Sequence, residues 1–367
     1  MEQRNCTLES VGLRKVDPAF WKDKKVFLTG HSGFKGSWLT IWLLEMGVRV
    51  YGYSLSPSTN PSLFEIANIQ KLIHGEFNDI CNAESLQKSM KDFDPEIVIH
   101  MAAQPLVRQS YDNPLKTYET NVIGTLNVLE SARNCKKVKS IVIVTTDKCY
   151  QNNEWDWGYR ETDILGGFDP YSSSKACAEL LTSSYRNSFF KDTKTSVATV
   201  RAGNVIGGGD WSKDRLIPDI LDAIKNNKKI IVRNIDAIRP WQHVLEPLSG
   251  YLMLAEDLYN HGNKFADAWN FGPNNENCQT VEEILRIFAI KFPNWVGWQI
   301  QNKTNVHEAK LLKLDCSKAI NYIRWIPKWG IETTINLISN WQSKVEENIQ
   351  NAYGACLSDI EIYNKKD

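Results

Sequence analysis

Two short stretches of the chain carry residues whose types and spacing suit proton transfer. At YSSSK (171–175), Tyr171 and Lys175 stand four positions apart and share one face of a helix. An ammonium beside a phenol favours phenolate, drawing its pKa down from about 10 and making Tyr171 a usable base. The second stretch, SIVIVTTDKCY (140–150), reads as a buried strand that ends in Thr145, Thr146, Asp147 and Lys148. It sets a hydroxyl, an acid and an amine side by side at the mouth of a sheet. Taken alone, Y-x-x-x-K is common on solvated helices and an Asp-Lys pair is often a surface ion pair, so the surrounding elements decide.

Those elements are legible. From Lys25 onward, β-branched runs alternate with helical patterns: KVFLT (25–29), VRVYGYSL (48–55), EIVIHMAA (96–103), SIVIVTT (140–146) and TSVATVR (195–201). Continuous apolarity in such runs indicates strands covered on both faces, so the expected class is α/β, a doubly wound parallel Rossmann sheet. After Arg201 come loops rich in Gly, Asp and Trp, then short helices; one opens at TVEE, where Thr280 and Glu283 suit a capping box. We expect residues 1–205 to form the dinucleotide-binding Rossmann domain, with 239–272 returning to it. Residues 206–238 and 273–367 are expected to form a smaller C-terminal α/β substrate-binding domain. Residues 1–20 read as a tail.

Directly after the first run comes TGHSGFKGSWL. Gly30 permits a tight turn, Gly33 lets backbone amides approach a pyrophosphate, and Gly36 permits close packing of helix on strand; Phe34 opens the helix. The second run ends in Ser54, where an acid for the ribose is expected, and no arginine follows closely for a 2′-phosphate, so NAD rather than NADP is the expected cofactor. His31 is expected to put a ring inside the phosphate turn. With Ser54, it predicts modest NAD affinity. Asp79 and Ile80, in EFNDI, are candidates to contact the adenine, with a helix N-cap an equal reading for Asp79.

Together the glycine turn, Thr146 and the Tyr171–Lys175 pair resemble the extended short-chain dehydrogenase/reductase family. HMAAQP (100–105), NVIGTLNVLE (121–130) and RAGNVIGGGDW (201–211) add to the resemblance, which runs from Phe20 to IRWIPKW at 323–329. It implies that Tyr171 is the hydride-transfer base, Lys175 its helper and Thr146 an assistant. It also implies that Ala102 and Ala103 lie beside the cofactor, that Asn121 positions its helix or a water, and that Gln104 and Asn204 lie near the substrate. Oxidation and reduction at one carbon would leave Asp147 and Lys148 without a task. In the nucleotide-sugar 4,6-dehydratases, the residues after this threonine are an acid and a base that eliminate water, and most have Asp-Glu where this chain has Asp147-Lys148.

That departure, with TTDKCYQNNEWDWGYRE and RPWQHVLEPLSGYL, resembles the branch whose substrate is CDP-D-glucose. The implied roles need a neutral Lys148 to take a proton from C5 and a protonated Asp147 to give one to the departing C6 hydroxyl; a direct ion pair between them opposes both. For the diphosphate, Arg239 in IRPWQHV is preferred because a guanidinium fork suits phosphate oxygens, with Lys213, Arg215 and Arg233 as further candidates. Trp211 and Trp241 suit either stacking on a base or packing. A nucleotide-sugar 4-epimerase is the nearest alternative, and it has no use for Asp147 and Lys148. A non-catalytic dinucleotide-sensing protein needs neither Tyr171 nor Lys175.

Composition narrows the partners. With 43 basic and 43 acidic side chains, neither nucleic acid nor an acidic membrane surface is the expected partner. The most apolar helical stretch, Trp38 to Met46, is far short of a bilayer span, and a cytoplasmic address follows. The eight cysteines are scattered with no C-x-x-C pair or histidine grouping, which argues against a metal site and against a disulfide framework. Trp155 and Trp157, in polar loops, are expected to serve ligands or subunit contacts. By the resemblance, a homodimer pairs through helices at 113–134 and 171–190.

Overall fold

The computed structural model describes residues 14–301 and 310–365. Its strands are β1 (Lys25–Thr29), β2 (Arg49–Ser54), β3 (His74–Phe77), β4 (Ile97–His100), β5 (Ser140–Val144), β6 (Ser196–Ala202), β7 (Asn204–Ile206), β8 (Ile230–Val232), β9 (Ile238–His243), β10 (Ala268–Phe271), β11 (Cys278–Thr280) and β12 (Trp298–Ile300). Seven of them form one parallel sheet in the order β10-β6-β5-β4-β1-β2-β3. This is the α/β class read from the apolar runs: β4, β5 and β6 are buried along their whole length, with helices on both faces.

The chain moves to opposite sides of β1 through β2 and β4, and the crevice opens at that reversal, outside the carboxyl ends of the strands. Two of the sequence runs overshoot their strands. β4 stops at His100 and β5 at Val144, so residues 101–104 and 145–148 peel off the sheet and line the crevice. Buried polar contacts fasten its floor: Thr29 Oγ1 meets His100 Nδ1 at 2.7 Å and His100 Nε2 meets Thr125 Oγ1 at 3.1 Å. Burial lowers the His100 pKa to about 3, so the ring is neutral.

The later strands make two small sheets, β11-β9-β7 and β12-β8. The helix Val281–Lys291 opens with the expected capping box, Thr280 Oγ1 accepting from the Glu283 amide at 3.1 Å and Glu283 accepting from the Thr280 amide at 2.7 Å. The last helix, Ala352–Asn364, crosses back onto the first helix after β1, Phe34–Glu45, with the Tyr363 ring 5.7 Å from that of Trp42. No helix among the described residues is long and apolar enough to cross a membrane.

A buried carboxylate latches this C-terminal part. Glu246 accepts hydrogen bonds from the Lys328 amide (3.0 Å), the Trp329 amide (2.7 Å) and Tyr363 Oη (2.8 Å), and burial pushes its pKa from 4.5 up to about 7. The folded chain therefore holds this proton more tightly than the unfolded chain, and the associated stability, complete below pH 4.5, is lost as pH rises through about 7. Glu246→Gln removes that slope. Its Tm relative to the wild type should rise between about pH 5 and about pH 8; thermal denaturation at both values checks this, and a difference independent of pH would contradict it.

Candidate active site

The glycine turn separates packing from ligand space. Gly30 has φ +76, and a Cβ there would lie 2.6 Å from the Ala102 amide nitrogen; at Gly36 it would lie 2.0 Å from the Gly30 carbonyl oxygen. The protein's own packing demands both glycines. Gly33 differs: it is the N-cap of Phe34–Glu45, and the nearest atom to a Cβ there is 3.5 Å away, an ordinary contact. Nothing among the described residues requires its smallness. What the missing side chain keeps open is the approach to the unpaired amides at the positive end of a helix, where a pyrophosphate is held. These residues fit a dinucleotide. Gly33→Ala should therefore leave Tm nearly unchanged and weaken NAD binding, whereas Gly36→Ala should cost about 1–3 kcal/mol or more by overpacking; denaturation and calorimetric titration distinguish the two.

Several expected cofactor contacts are corrected by their surroundings. The His31 ring does not enter the turn. It lies over Gly52, stacks on Phe77 at 6.1 Å, meets Phe64 edge-on at 5.2 Å, and is 2% exposed, with its pKa lowered to about 4 by burial. The steric reason for modest NAD affinity therefore disappears. The Ser54 hydroxyl is buried and taken up by His31 Nδ1 (3.1 Å), Ser32 Oγ (2.9 Å) and the Leu55 carbonyl (3.0 Å), so it presents nothing to a ribose. Asp79 is not the helix N-cap: Asn82 caps Ala83–Phe93, while Asp79 accepts from the Cys81 amide and pairs with Lys116, each at 2.9 Å. Ile80 is buried against Gly124.

Ala102 and Ala103 border the crevice, and the Ala102 amide donates to Thr29 Oγ1 at 3.2 Å. Asn121 is saturated within the protein. It bonds the Gln104 backbone at 2.8 and 3.1 Å and donates to Ser174 Oγ at 2.9 Å, tying the loop after β4 to the helix Pro170–Tyr185. The Gln104 carboxamide is occupied too, by both backbone groups of Leu106 and by Thr117, so it is not free for a substrate.

The candidate reaction centre is assembled by β5 and the helix Pro170–Tyr185, which opens on Asp169 accepting from the Ser172 amide at 2.9 Å. Thr146, Asp147, Tyr171 and Lys175 are all buried, Asp147 completely. Thr146 Oγ1 donates to Asp147 Oδ1 at 3.0 Å, and Lys148 Nζ is 3.4 Å from the same oxygen. Asp147 Oδ2 is buried without a partner among the described residues. Burial pushes the Tyr171 phenol up to about 12, against a downward pull from the Thr146 hydroxyl beside it and from the charge of Arg215. This corrects the sequence expectation of a phenol governed by Lys175. The lysine instead donates to the Val144 carbonyl at 3.0 Å, and burial lowers its pKa to about 8.

One ion pair holds the segment after β5 at both ends. Glu179, one turn beyond Lys175, accepts from Thr145 Oγ1, from Thr199 Oγ1 at 2.7 Å, and from Arg201 Nε and Nη2 at 2.9 and 2.8 Å. Arg201 Nη1 also donates to Tyr150 Oη at 2.8 Å, and that hydroxyl donates to Asn270 at 2.7 Å. Residues 145 and 150 are thereby pinned by one pair whose side chains are each 3% exposed. Arg201→Met strands the Glu179 charge in the core and should cost about 3–5 kcal/mol, measurable by urea denaturation.

Two residues of the site escaped the sequence reading. Lys35 lies half-buried in the first helical turn after the glycines; burial and the charges of Arg215 and Lys175 lower its pKa to about 7, against the pull of Asp147. Its signal was present, since a lysine in a first turn opposes the positive helix end. The Tyr251 hydroxyl is buried without a partner among the described residues, under the electrostatic influence of Tyr171 and Asp147.

Among the expected substrate residues, Asn204 Oδ1 is buried and unpartnered among the described residues, and Arg215, bonded to Asp210 at 3.0 Å, is the arginine whose charge reaches Tyr171. Arg239, on β9, donates to the Ile238 and Lys310 carbonyls at 2.9 and 3.3 Å. Arg233 follows β8 on the two-stranded sheet, and Lys213 is exposed. Trp241 is buried with its Nε1 on the Gln279 carbonyl, and Trp211 packs on Trp341, so both serve packing. Trp155 lies between Trp157 and Tyr159, with Trp157 exposed.

A dinucleotide cradle and an acid-base tip on this sheet agree with what similarity to known proteins gives. The family model described as GDP-mannose 4,6 dehydratase matches residues 27–338, and the chain belongs to that family. It is 52% identical to a CDP-glucose 4,6-dehydratase of Salmonella typhimurium, over 89% of this chain and 92% of that one. A dTDP-D-glucose 4,6-dehydratase of Homo sapiens is 26% identical over 87% of this chain and 92% of its own. Among solved structures, the fold matches a dTDP-glucose 4,6-dehydratase from Streptomyces venezuelae with NAD and TYD bound (TM-score 0.75, 21% identity, 88% of this chain and 97% of that one). It also matches a UDP-glucose 4-epimerase of Thermotoga maritima (TM-score 0.77, 20% identity, 88% and 99%).

Proposed function

We propose that this chain removes water from CDP-D-glucose to give CDP-4-dehydro-6-deoxy-D-glucose, as a NAD-dependent nucleotide-sugar 4,6-dehydratase that moves a hydride from C4 to C6. The observation that carries this reading is the tip itself: a completely buried Asp147, with Lys148 3.4 Å away, set beside Thr146 and Tyr171. The 52% identity to a CDP-glucose 4,6-dehydratase supports the choice of sugar nucleotide. NAD⁺, when bound at Gly30, Gly33 and the helix that follows, supplies the hydride acceptor and a positive charge near the phenol.

The protein's own side chains then divide the proton work. Tyr171 takes the proton of the C4 hydroxyl, which Thr146 holds. The C4 ketone acidifies the hydrogen on C5, Lys148 takes it as a neutral amine, and Asp147 protonates the departing C6 hydroxyl. Lys148 later returns its proton to C5. The contact between Asp147 and Lys148 was expected to oppose these roles. That contact is 3.4 Å long, and Asp147 Oδ2 stays unpartnered among the described residues, which leaves an oxygen of the carboxyl for the substrate.

Asn204 and Arg215 are assigned to the sugar end, and Arg239 and Arg233 to the diphosphate. The division into 1–205 with 239–272, and 206–238 with 273–367, stays part of this reading; the packing of the last helix on Phe34–Glu45 supports assigning that helix to the Rossmann side instead. Leu115, Ile123, Leu180 and Phe189 are exposed on the stretches 113–134 and 171–190, which supports a homodimer through them, and we assign the protein to the cytoplasm. Incubation with CDP-, UDP-, dTDP- and GDP-glucose, followed by the alkaline absorbance of the 4-keto sugar, tests the function. Turnover of CDP-glucose is expected; formation of the C4 epimer in place of a 4-keto product would show an epimerase.

A further inference from the structure

The segment 207–215, between β7 and the helix Leu216–Lys225, is fastened to the Rossmann part at two places. Its start rests on the helix that follows the glycine turn. Trp38 Nε1 donates to the Gly208 carbonyl at 2.9 Å, and a Cβ at Gly207 would lie 3.1 Å from Phe34 Cζ. Its end is tied to the stretch after β4, where Arg108 Nη1 donates to Asp214 Oδ1 at 2.8 Å. The two anchors therefore stand on the elements that follow β1 and β4, neighbours in the sheet at the reversal where the crevice opens.

Within this segment Lys213 and Asp214 are exposed, Arg215 is half-buried, and Asp210 is buried. Both oxygens of Asp210 are used inside the segment: Oδ1 accepts from the Ser212 amide and Oδ2 from Arg215 Nη1, each at 3.0 Å. The backbone thus fixes the carboxylate, and the carboxylate fixes one corner of the guanidinium. Arg215 Nε and Nη2 have no protein partner among the described residues, so an edge of the fork is left for an outside acceptor. Asp214, with φ +61, turns the chain in the left-handed region directly before Arg215, the N-cap of the next helix. The Arg215 charge is felt by Tyr171 and by Lys35, on two other walls of the crevice, which agrees with a fork that faces inward.

We propose that Asp210 is a positioning residue, which aims the free edge of the Arg215 guanidinium at the sugar end of the nucleotide before the substrate arrives. A long side chain ordered in advance loses less conformational entropy on binding. The inference rests on the dehydratase reading, which wild-type turnover of CDP-glucose tests separately, and on the assignment of Arg215 to the substrate.

A double-mutant cycle on the holoenzyme tests it, with KM and kcat for CDP-glucose and a thermal scan for each variant. Asp210→Asn and Arg215→Met should each raise KM by about tenfold or more, the scale of one charge-assisted hydrogen bond lost, with the loss falling on KM rather than on kcat. With Arg215→Met already present, adding Asp210→Asn should change KM by less than about twofold, because Asp210 then has nothing to aim. Asp210→Glu, which keeps the charge, should lie between Asp210→Asn and the wild type. It takes the place of Asp210→Asn in the cycle if that variant does not fold. Effects that multiply in the double variant would overturn the proposal, as would a wild-type KM in Asp210→Asn beside a raised one in Arg215→Met. A wild-type KM in Arg215→Met would remove the assignment of Arg215, and the proposal with it.

Discussion

Tyr171→Phe should lower kcat by about 10²–10⁴-fold, the loss expected for a positioned general base. Stability should change little, because the ring is kept and the helix that carries it is anchored elsewhere, by the Asp169 cap and by Lys175 on the Val144 carbonyl. Burial, which pushes this phenol up to about 12, makes the prediction sharper. Positive charge bound beside a phenol held protonated by burial would strengthen it as a base. Steady-state kinetics with a thermal scan checks both halves, and a variant with near-normal kcat would remove Tyr171 from the mechanism.

Lys148→Met is expected to separate the two halves of the reaction. In the proposed mechanism the C4 oxidation uses Tyr171 and Thr146, which the substitution leaves in place, so a 4-keto sugar that still holds its C6 hydroxyl should accumulate on the enzyme. Dehydration should fall by about 10²–10⁴-fold. Solvent deuterium should no longer enter at C5, because no base removes that hydrogen. Asp147→Asn should behave differently: C5 exchange should persist while water loss stops, since Lys148 remains and the acid is gone. Product analysis in deuterated water by NMR distinguishes them, and full dehydration by Lys148→Met would reassign the C5 base.

Much of this was visible before any coordinates. The five apolar runs mark β1, β2, β4, β5 and β6, because strands covered on both faces are apolar over most of their length. AWNF, which becomes β10 at the sheet edge, is too short to be read that way. The residues to which we assign the chemistry stand out in the sequence where their spacing is local, as in Thr146-Asp147-Lys148 and Tyr171-x-x-x-Lys175. Side-chain direction was not. His31 reads as an obstruction from its place in the turn, yet the glycine at 52 opens a slot that takes the ring away from it. Glu179 and Arg201 are 22 residues apart and become one unit only when the helix packs on β6. Asn121 and Gln104 satisfy each other across a similar gap, which no local pattern announces.

The claim on which everything else depends is that one hydrogen leaves C4 of the sugar and comes back to C6 of the same molecule. CDP-glucose carrying deuterium at C4 tests it in a single experiment. The account predicts that the deuterium is recovered in the C6 methyl group of the product, while C5 takes its hydrogen from solvent by way of Lys148. Deuterium retained at C4, or lost to water with only protium found at C6, would contradict it.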